Sequence, residues 1–264
     1  MEIDGSRNGG SHNRIADQLT TLVESYRDGQ FAVDDLLSEI EQLLRGYALY
    51  PAQPILVLGF ALADLMDKTP AEAIELTLRL VSSTTREARA LAAAMIMRFS
   101  RFQPGLWLDP VQHLVRDQDW EVRDLAAHCF DTPENGDGAI DFHQSYVWQV
   151  VQDWIAHEDY LLRRAATQAL IGHAVKVAEF RPKVLAMLDP LLDDDLEYVR
   201  DSHAAALRRL GRADPALVFD YMEKSLDTPT EAARETFRKV LDHSFADRLP
   251  GRKTKILARI NGGE

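Results

Sequence analysis

Apolar residues return every three or four positions along most of the chain. In IADQLTTLVESY, Ile15, Leu19, Leu22, Val23 and Tyr26 share one face of a helix, with polar residues on the other. The segments TPAEAIELTLRLV (Thr69 to Val81), DPALVFDYMEKSL (Asp214 to Leu226) and TPTEAARETFRKVL (Thr228 to Leu241) each open with Asp or Thr and continue with Pro or an acid, the combination that starts a helix. No alternating run of β-branched residues is bounded by a two-residue glycine turn. The pattern predicts an all-α chain.

A second, longer period lies on top of the helical one. EARALAAAMIM, EVRDLAAHCF, LLRRAATQAL, YVRDSHAAAL and AARETFRKVL each carry an arginine near the helix start, four of them followed by a run of small residues. These arginines, Arg89, Arg123, Arg163, Arg200 and Arg234, are spaced by 34, 40, 37 and 34 residues. Such a period holds two helices and two turns, the size of a helical repeat pair. The Trp, Gly and Tyr pattern of the tetratricopeptide repeat is missing, whereas a short inner helix opening with acid, Val and Arg is HEAT-like. The alanine runs fit, because small side chains let helices of adjacent repeats approach closely.

The expected architecture is therefore a right-handed HEAT-like α-solenoid of about five helix pairs in a single domain. Residues 1–13 are expected to be disordered, residues 14–69 to hold three capping helices (14–27, 33–49 and 53–66), residues 70–241 to form the repeats and residues 242–264 the tail. The segment DTPENGDGAIDFHQ (Asp131 to Gln144) is the one long connection and accounts for the interval of 40. The tail PGRKTKILARINGGE, with four basic residues against one acid, reads as a short helix or a flexible basic tail.

Composition narrows the class. With 46% hydrophobic and 27% charged residues among 264, the chain can bury a sizeable core. A single cysteine, Cys129, excludes an intramolecular disulfide and a multi-cysteine zinc cluster and fits a reducing compartment. The longest apolar stretch, around Ile55 to Met66, is too short to span a bilayer, and the first residues lack the form of a signal peptide. A cytoplasmic monomer without membrane contact is expected. Net charge is −12, the wrong sign for coating nucleic acid indiscriminately. The charge is uneven, however: Lys and Arg outnumber Asp and Glu by 7 to 5 over residues 79–123 and by 9 to 7 over residues 160–212, while residues 124–159 carry no base against 8 acids.

The stretch DWEVRDLAAHCF carries the candidate chemistry. Trp120, Asp124 and His128 are four residues apart and so stack on one helical face. The spacing of Trp and Asp in WEVRD, followed by LLRRAA and YVRDSHAAALRRLGRADPALV, resembles the DNA alkylation repair family, the AlkD- and AlkC-type HEAT-repeat alkylpurine DNA glycosylases, over roughly residues 80 to 226. That resemblance implies excision of cationic N3- or N7-alkylated purines from alkylated double-stranded DNA. Asp124 falls on the catalytic acid, Trp120 on the base-side aromatic wall, and Arg163 and Arg164 on positions that hold DNA phosphates; Arg123 and Arg200 extend the same DNA-binding set. No metal or cofactor is implied, since the alkylated base carries its own positive charge and a carboxylate can stabilise the developing oxocarbenium ion. One position departs: the best-matching glycosylases have a second tryptophan where this chain has Ala205.

Each element also has a structural reading. Asp124 can pair across repeats in a ladder with Arg164, Asp201 and Glu235, which share its register. Trp120 can pack in a core, the register arginines can bond between repeats, and His128 can be a plain helix-surface residue. The alternative function is then a non-catalytic HEAT-repeat scaffold that binds a protein partner on its concave face. No glycine-rich phosphate loop, HExxH or GxSxG sequence occurs.

Overall fold

The computed structural model describes residues 6–100, 103–131 and 139–262, with side chains from residues 14 and 146 onward in the first and last segments. Among the described residues every regular element is helical, so the all-α expectation holds. Contacts divide the chain into two compact units, Met1–Cys129 and Phe130–Glu264, where one domain was expected.

The first unit contains α1 (Ser6–Arg27), α2 (Val33–Leu44), α3 (Gln53–Leu65), α4 (Pro70–Val81), α5 (Arg86–Phe99), α6 (Leu108–Leu114) and α7 (Trp120–Ala127). The backbone is helical from Ser6, within the stretch expected to be disordered; residues 1–5 lie outside the described set. The second capping helix ends at Leu44, five residues early, because Gly46 takes a φ of +76° that no helix continues through. Its core is built on α5, whose residues from Glu87 to Ile96 are all buried. The alanines of that helix allow the approach: a Cβ at Gly59 of α3 would lie 2.3 Å from the Cβ of Ala94.

The second unit contains α8 (Ala139–Ile155), α9 (Tyr160–Ala169), α10 (Ile171–Lys176), α11 (Arg181–Leu188), α12 (Glu197–Ala213), α13 (Pro215–Ser225), α14 (Glu231–Leu241) and α15 (Pro250–Ile260). Most of the long connection expected over residues 131–144 falls outside the described residues or within α8. Pro215 and Pro250 occupy the first helical position, where a missing N–H costs nothing. The Asp214 carboxylate accepts from the Leu217 N–H at 3.1 Å. The last repeat helix starts at Glu231, with the Thr230 hydroxyl capping the Ala233 N–H at 3.0 Å, two residues later than a start at Pro229 after a Thr228 cap would give. The basic tail is helical, as α15. Here too a glycine permits a close contact, Gly211 of α12 lying under the ring of Phe245.

No helix among the described residues is long and apolar enough to cross a membrane.

Candidate nucleic-acid interface

Each of the five register arginines is the fourth residue of its helix, in α5, α7, α9, α12 and α14. Four of them reach back to the same point. Arg89, Arg123, Arg163 and Arg200 donate through Nη1 to the carbonyl six residues earlier, on Ser83 (3.0 Å), Asp117 (2.6 Å), His157 (2.9 Å) and Asp194 (2.6 Å). The side chains of these four acceptor residues in turn receive the N–H two residues on: Thr85 to Ser83 Oγ, Asp119 to Asp117 Oδ1, Asp159 to His157 Nδ1 and Leu196 to Asp194 Oδ1, all between 2.8 and 3.0 Å. Each turn is thus closed by its own polar residue and fastened to the following helix by an arginine. The rigid fork of donors on a guanidinium suits that double task, which a lysine cannot perform.

Two of the forks also bridge successive repeats. Arg89 pairs with Asp117, with 3.0 Å between Nη2 and Oδ1 and both side chains buried. Arg163 meets Asp194 at 2.6 and 3.2 Å, and that carboxylate holds the guanidinium above its ordinary pKa. Arg200 lies 3.7 Å from Glu235. Arg234 departs from the pattern and donates to the carbonyls of Arg259 and Ile260, where it caps the C-terminus of α15.

Trp120 is the first residue of α7, a helix whose N-terminus is capped by the Asp119 carboxylate accepting from the Glu121 N–H at 2.9 Å. It stands outward, 53% exposed, so the core-packing reading of this residue does not hold. Trp107 and Trp154 are the buried tryptophans. Beside Trp120 lies a residue that the sequence did not single out. Tyr50, 71% exposed in the loop between α2 and α3, has its ring centroid 6.2 Å from that of the indole, with the planes inclined by 48°. The neighbouring acids are already engaged, since Arg86 donates to Glu121 at 2.8 Å and lies 3.5 Å from Asp119. Asp124 follows one turn after Trp120 and His128 at the helix end; both are half-buried.

In the second unit, Tyr160 and Tyr198 sit in the first turns of α9 and α12 and meet edge to face at 6.2 Å. The Arg164 guanidinium lies 5.5 Å from the centre of the Tyr198 ring. Arg164 is buried, and Asp201, in the register of Asp124, pairs with Lys239 of α14. Ala205, where the glycosylases it resembles carry a tryptophan, is half-buried on α12.

Comparison with known proteins bears on what this arrangement belongs to. The structure is similar to that of AlkD2 from Streptococcus mutans, with a TM-score of 0.63 and 16% identity over 80% of this chain and 98% of that one. It is also similar to the protein smu.31 from Streptococcus mutans UA159, with a TM-score of 0.60 and 17% identity over the same shares. At such identities the likeness concerns the HEAT-like helical-repeat fold. No curated protein matches the sequence. The family model described as DNA alkylation repair enzyme matches residues 61–240. That span takes in all five register helices nearly whole, and with them Trp120 and Asp124, so the chain belongs to the DNA alkylation repair enzyme family.

Proposed function

We propose that the protein binds alkylated double-stranded DNA and excises N3- or N7-alkylated purines as an alkylpurine DNA glycosylase. The observation that carries this reading is the exposed Trp120 one helical turn from Asp124 at the start of α7. An indole held in solvent forgoes its burial energy, which a folded protein tolerates where the ring meets a ligand. An alkylated purine is a cation with a weak glycosidic bond. The indole face attracts that cation, and the Asp124 carboxylate stabilises the positive charge that passes to C1′ as the bond breaks. Water completes the reaction at C1′, and the departing purine leaves neutral.

Arg123, Arg163, Arg164 and Arg200 are the cations assigned to the DNA backbone. Three of them also hold turn carbonyls, so any phosphate they meet is bound by a guanidinium whose direction is preset by the repeat. The same commitment favours a second reading, a non-catalytic scaffold whose arginines serve only the turns and whose ligand is a protein.

Release of 7-methylguanine and 3-methyladenine from methylated duplex DNA separates the two. The glycosylase reading expects release by the wild-type protein, a fall of roughly 100-fold or more for Asp124→Asn, and retained DNA affinity in that variant. Absence of both release and binding moves the assignment to the scaffold.

A further inference from the structure

We infer that His157 is a proton-sensitive positioning residue for Arg163, closing the turn that carries this guanidinium while its ring is neutral and releasing it when the ring is protonated. The bearing on DNA rests on the backbone role given to Arg163 above; the turn itself does not.

A comparison among the four arginine turns leads there. In three of them the side chain that closes the turn is an oxygen acceptor, the Ser83 hydroxyl or the carboxylate of Asp117 or Asp194. In the turn before α9 it is an imidazole nitrogen: His157 Nδ1 receives the Asp159 N–H at 2.9 Å. An imidazole accepts at Nδ1 only while that nitrogen carries no proton, which leaves the ring proton on Nε2, whereas an imidazolium donates from both nitrogens. Protonation therefore sets a donor against the Asp159 N–H, and the bond is lost.

What depends on that bond is the start of α9. Asp159 caps the helix, its carboxylate accepting from the Leu161 N–H at 2.9 Å. Arg163 donates to the carbonyls of His157 and Glu158 at 2.9 and 2.8 Å, so the turn holds the guanidinium on one side while Asp194 holds it on the other. An open turn loosens the first of these holds and leaves the second.

Charged groups reach this turn from several elements. Glu158 and Asp159 belong to it, Arg163 comes from α9, and Asp194 and Asp195 approach that arginine from the turn before α12. Asp153, in the last turn of α8, accepts from Gln149 at 3.0 Å. Carboxylates ordinarily titrate at about pH 4 and guanidinium above about 12, so between about pH 5.5 and 8 the imidazole is the group of this set that changes charge. The direction follows: the turn is closed at the alkaline end of that window and opens as the pH falls.

The test uses the full wild-type chain and a plain, unmethylated duplex, so that no excision accompanies binding. Nitrogen-15 NMR follows the His157 ring and the Asp159 amide from about pH 8 to about 5.5, and duplex dissociation constants are measured over the same range at fixed salt. At the alkaline end Nδ1 should carry no proton, and the Asp159 amide should then shift with the midpoint of the ring. His157→Asn supplies an oxygen acceptor of the kind the sister turns use, and its Asp159 amide should stay constant over the range. Relative to that variant at each pH, wild-type affinity for the duplex should fall by roughly 2- to 12-fold across the window, the range of one net hydrogen bond. Taking the ratio cancels the titration of every other histidine. Because the asparagine keeps the turn closed, the variant should melt as the wild type does at the alkaline end.

A proton on Nδ1 at the alkaline end, or an Asp159 amide that ignores the ring, overturns the inference. So does a ratio that moves in favour of the wild type on acidification, for the imidazolium then acts as one more cation. An amide that follows the ring while the ratio stays constant upholds the turn and removes Arg163 from the DNA backbone, a failure of the function proposed above. Absence of duplex binding at every pH removes the DNA reading in the same way and leaves the turn to be decided by the amide.

Discussion

His203 of α12 is fully enclosed in the second unit, with the Tyr221 ring centroid 6.5 Å away. Burial lowers its pKa to about 4, outweighing the opposing pull of the Leu191 backbone and of Asp189 and Asp193. In the unfolded chain the same imidazole titrates near its ordinary 6.5. Between those two values the unfolded state binds the proton and the folded state does not, so the stability that this histidine permits is full above pH 6.5 and falls as the pH drops towards 4. The separation corresponds to about 3 kcal/mol. His173, also lowered by burial, adds in the same direction. Urea titrations at pH 7.5 and pH 4.5 should therefore show a clear loss for the wild-type protein and a smaller one for His203→Leu. An equal loss in both proteins would assign the acid sensitivity to other groups.

Packing between helices depends on which positions lack a side chain. The period of small residues in the α5 sequence signals close approach, but only the folded chain shows that its partner is Gly59 of α3. A Cβ at that glycine would sit 2.3 Å from Ala94 and 3.2 Å from the Ala94 backbone, so one of two buried helices must move. Gly59→Ala is expected to cost about 1–3 kcal/mol by overpacking, although alanine favours a helix by about 1 kcal/mol. A thermal melt in which this variant matches or exceeds the wild type would show that α3 slides at no cost. The arginine repeat is legible at the same scale. Its spacing is plain in the sequence, yet the acceptors are carbonyls of the preceding turn, and a carbonyl has no residue type to betray it.

As a whole the molecule is acidic, and its net charge of −12 sets how it meets DNA. Each phosphate neutralised on a duplex contributes about 0.9 to the slope of log affinity against log salt, so contacts from Arg123, Arg163, Arg164 and Arg200 together give a slope of at most about 4. Titrations between 50 and 300 mM salt should stay within that limit. A steeper dependence would call for cations beyond these four. A slope near zero would mean that the arginines serve the turns alone. The two compact units were not foreseen, although the boundary at Cys129 falls within the longest repeat interval, just before the long connection that begins at Asp131.

Helical class, repeat period, register arginines and the Trp120–Asp124 pairing were set by residue spacing, since all of them depend on positions within one helix or on the interval between equivalent helices. What tertiary structure decided depends on partners far apart in the chain. Trp120 has the composition of a core residue and stands in solvent, because the α7 start that carries it lies at the surface beside the loop between α2 and α3. Tyr50 carries no motif at all and becomes notable only through that neighbour. The sequence allows Arg89 and Arg163 to bond between repeats but names no partner for them; Asp117 and Asp194, 28 and 31 residues on, fold back against them. Local periodicity records which face of a helix is apolar; it holds no record of which distant side chain that helix will meet.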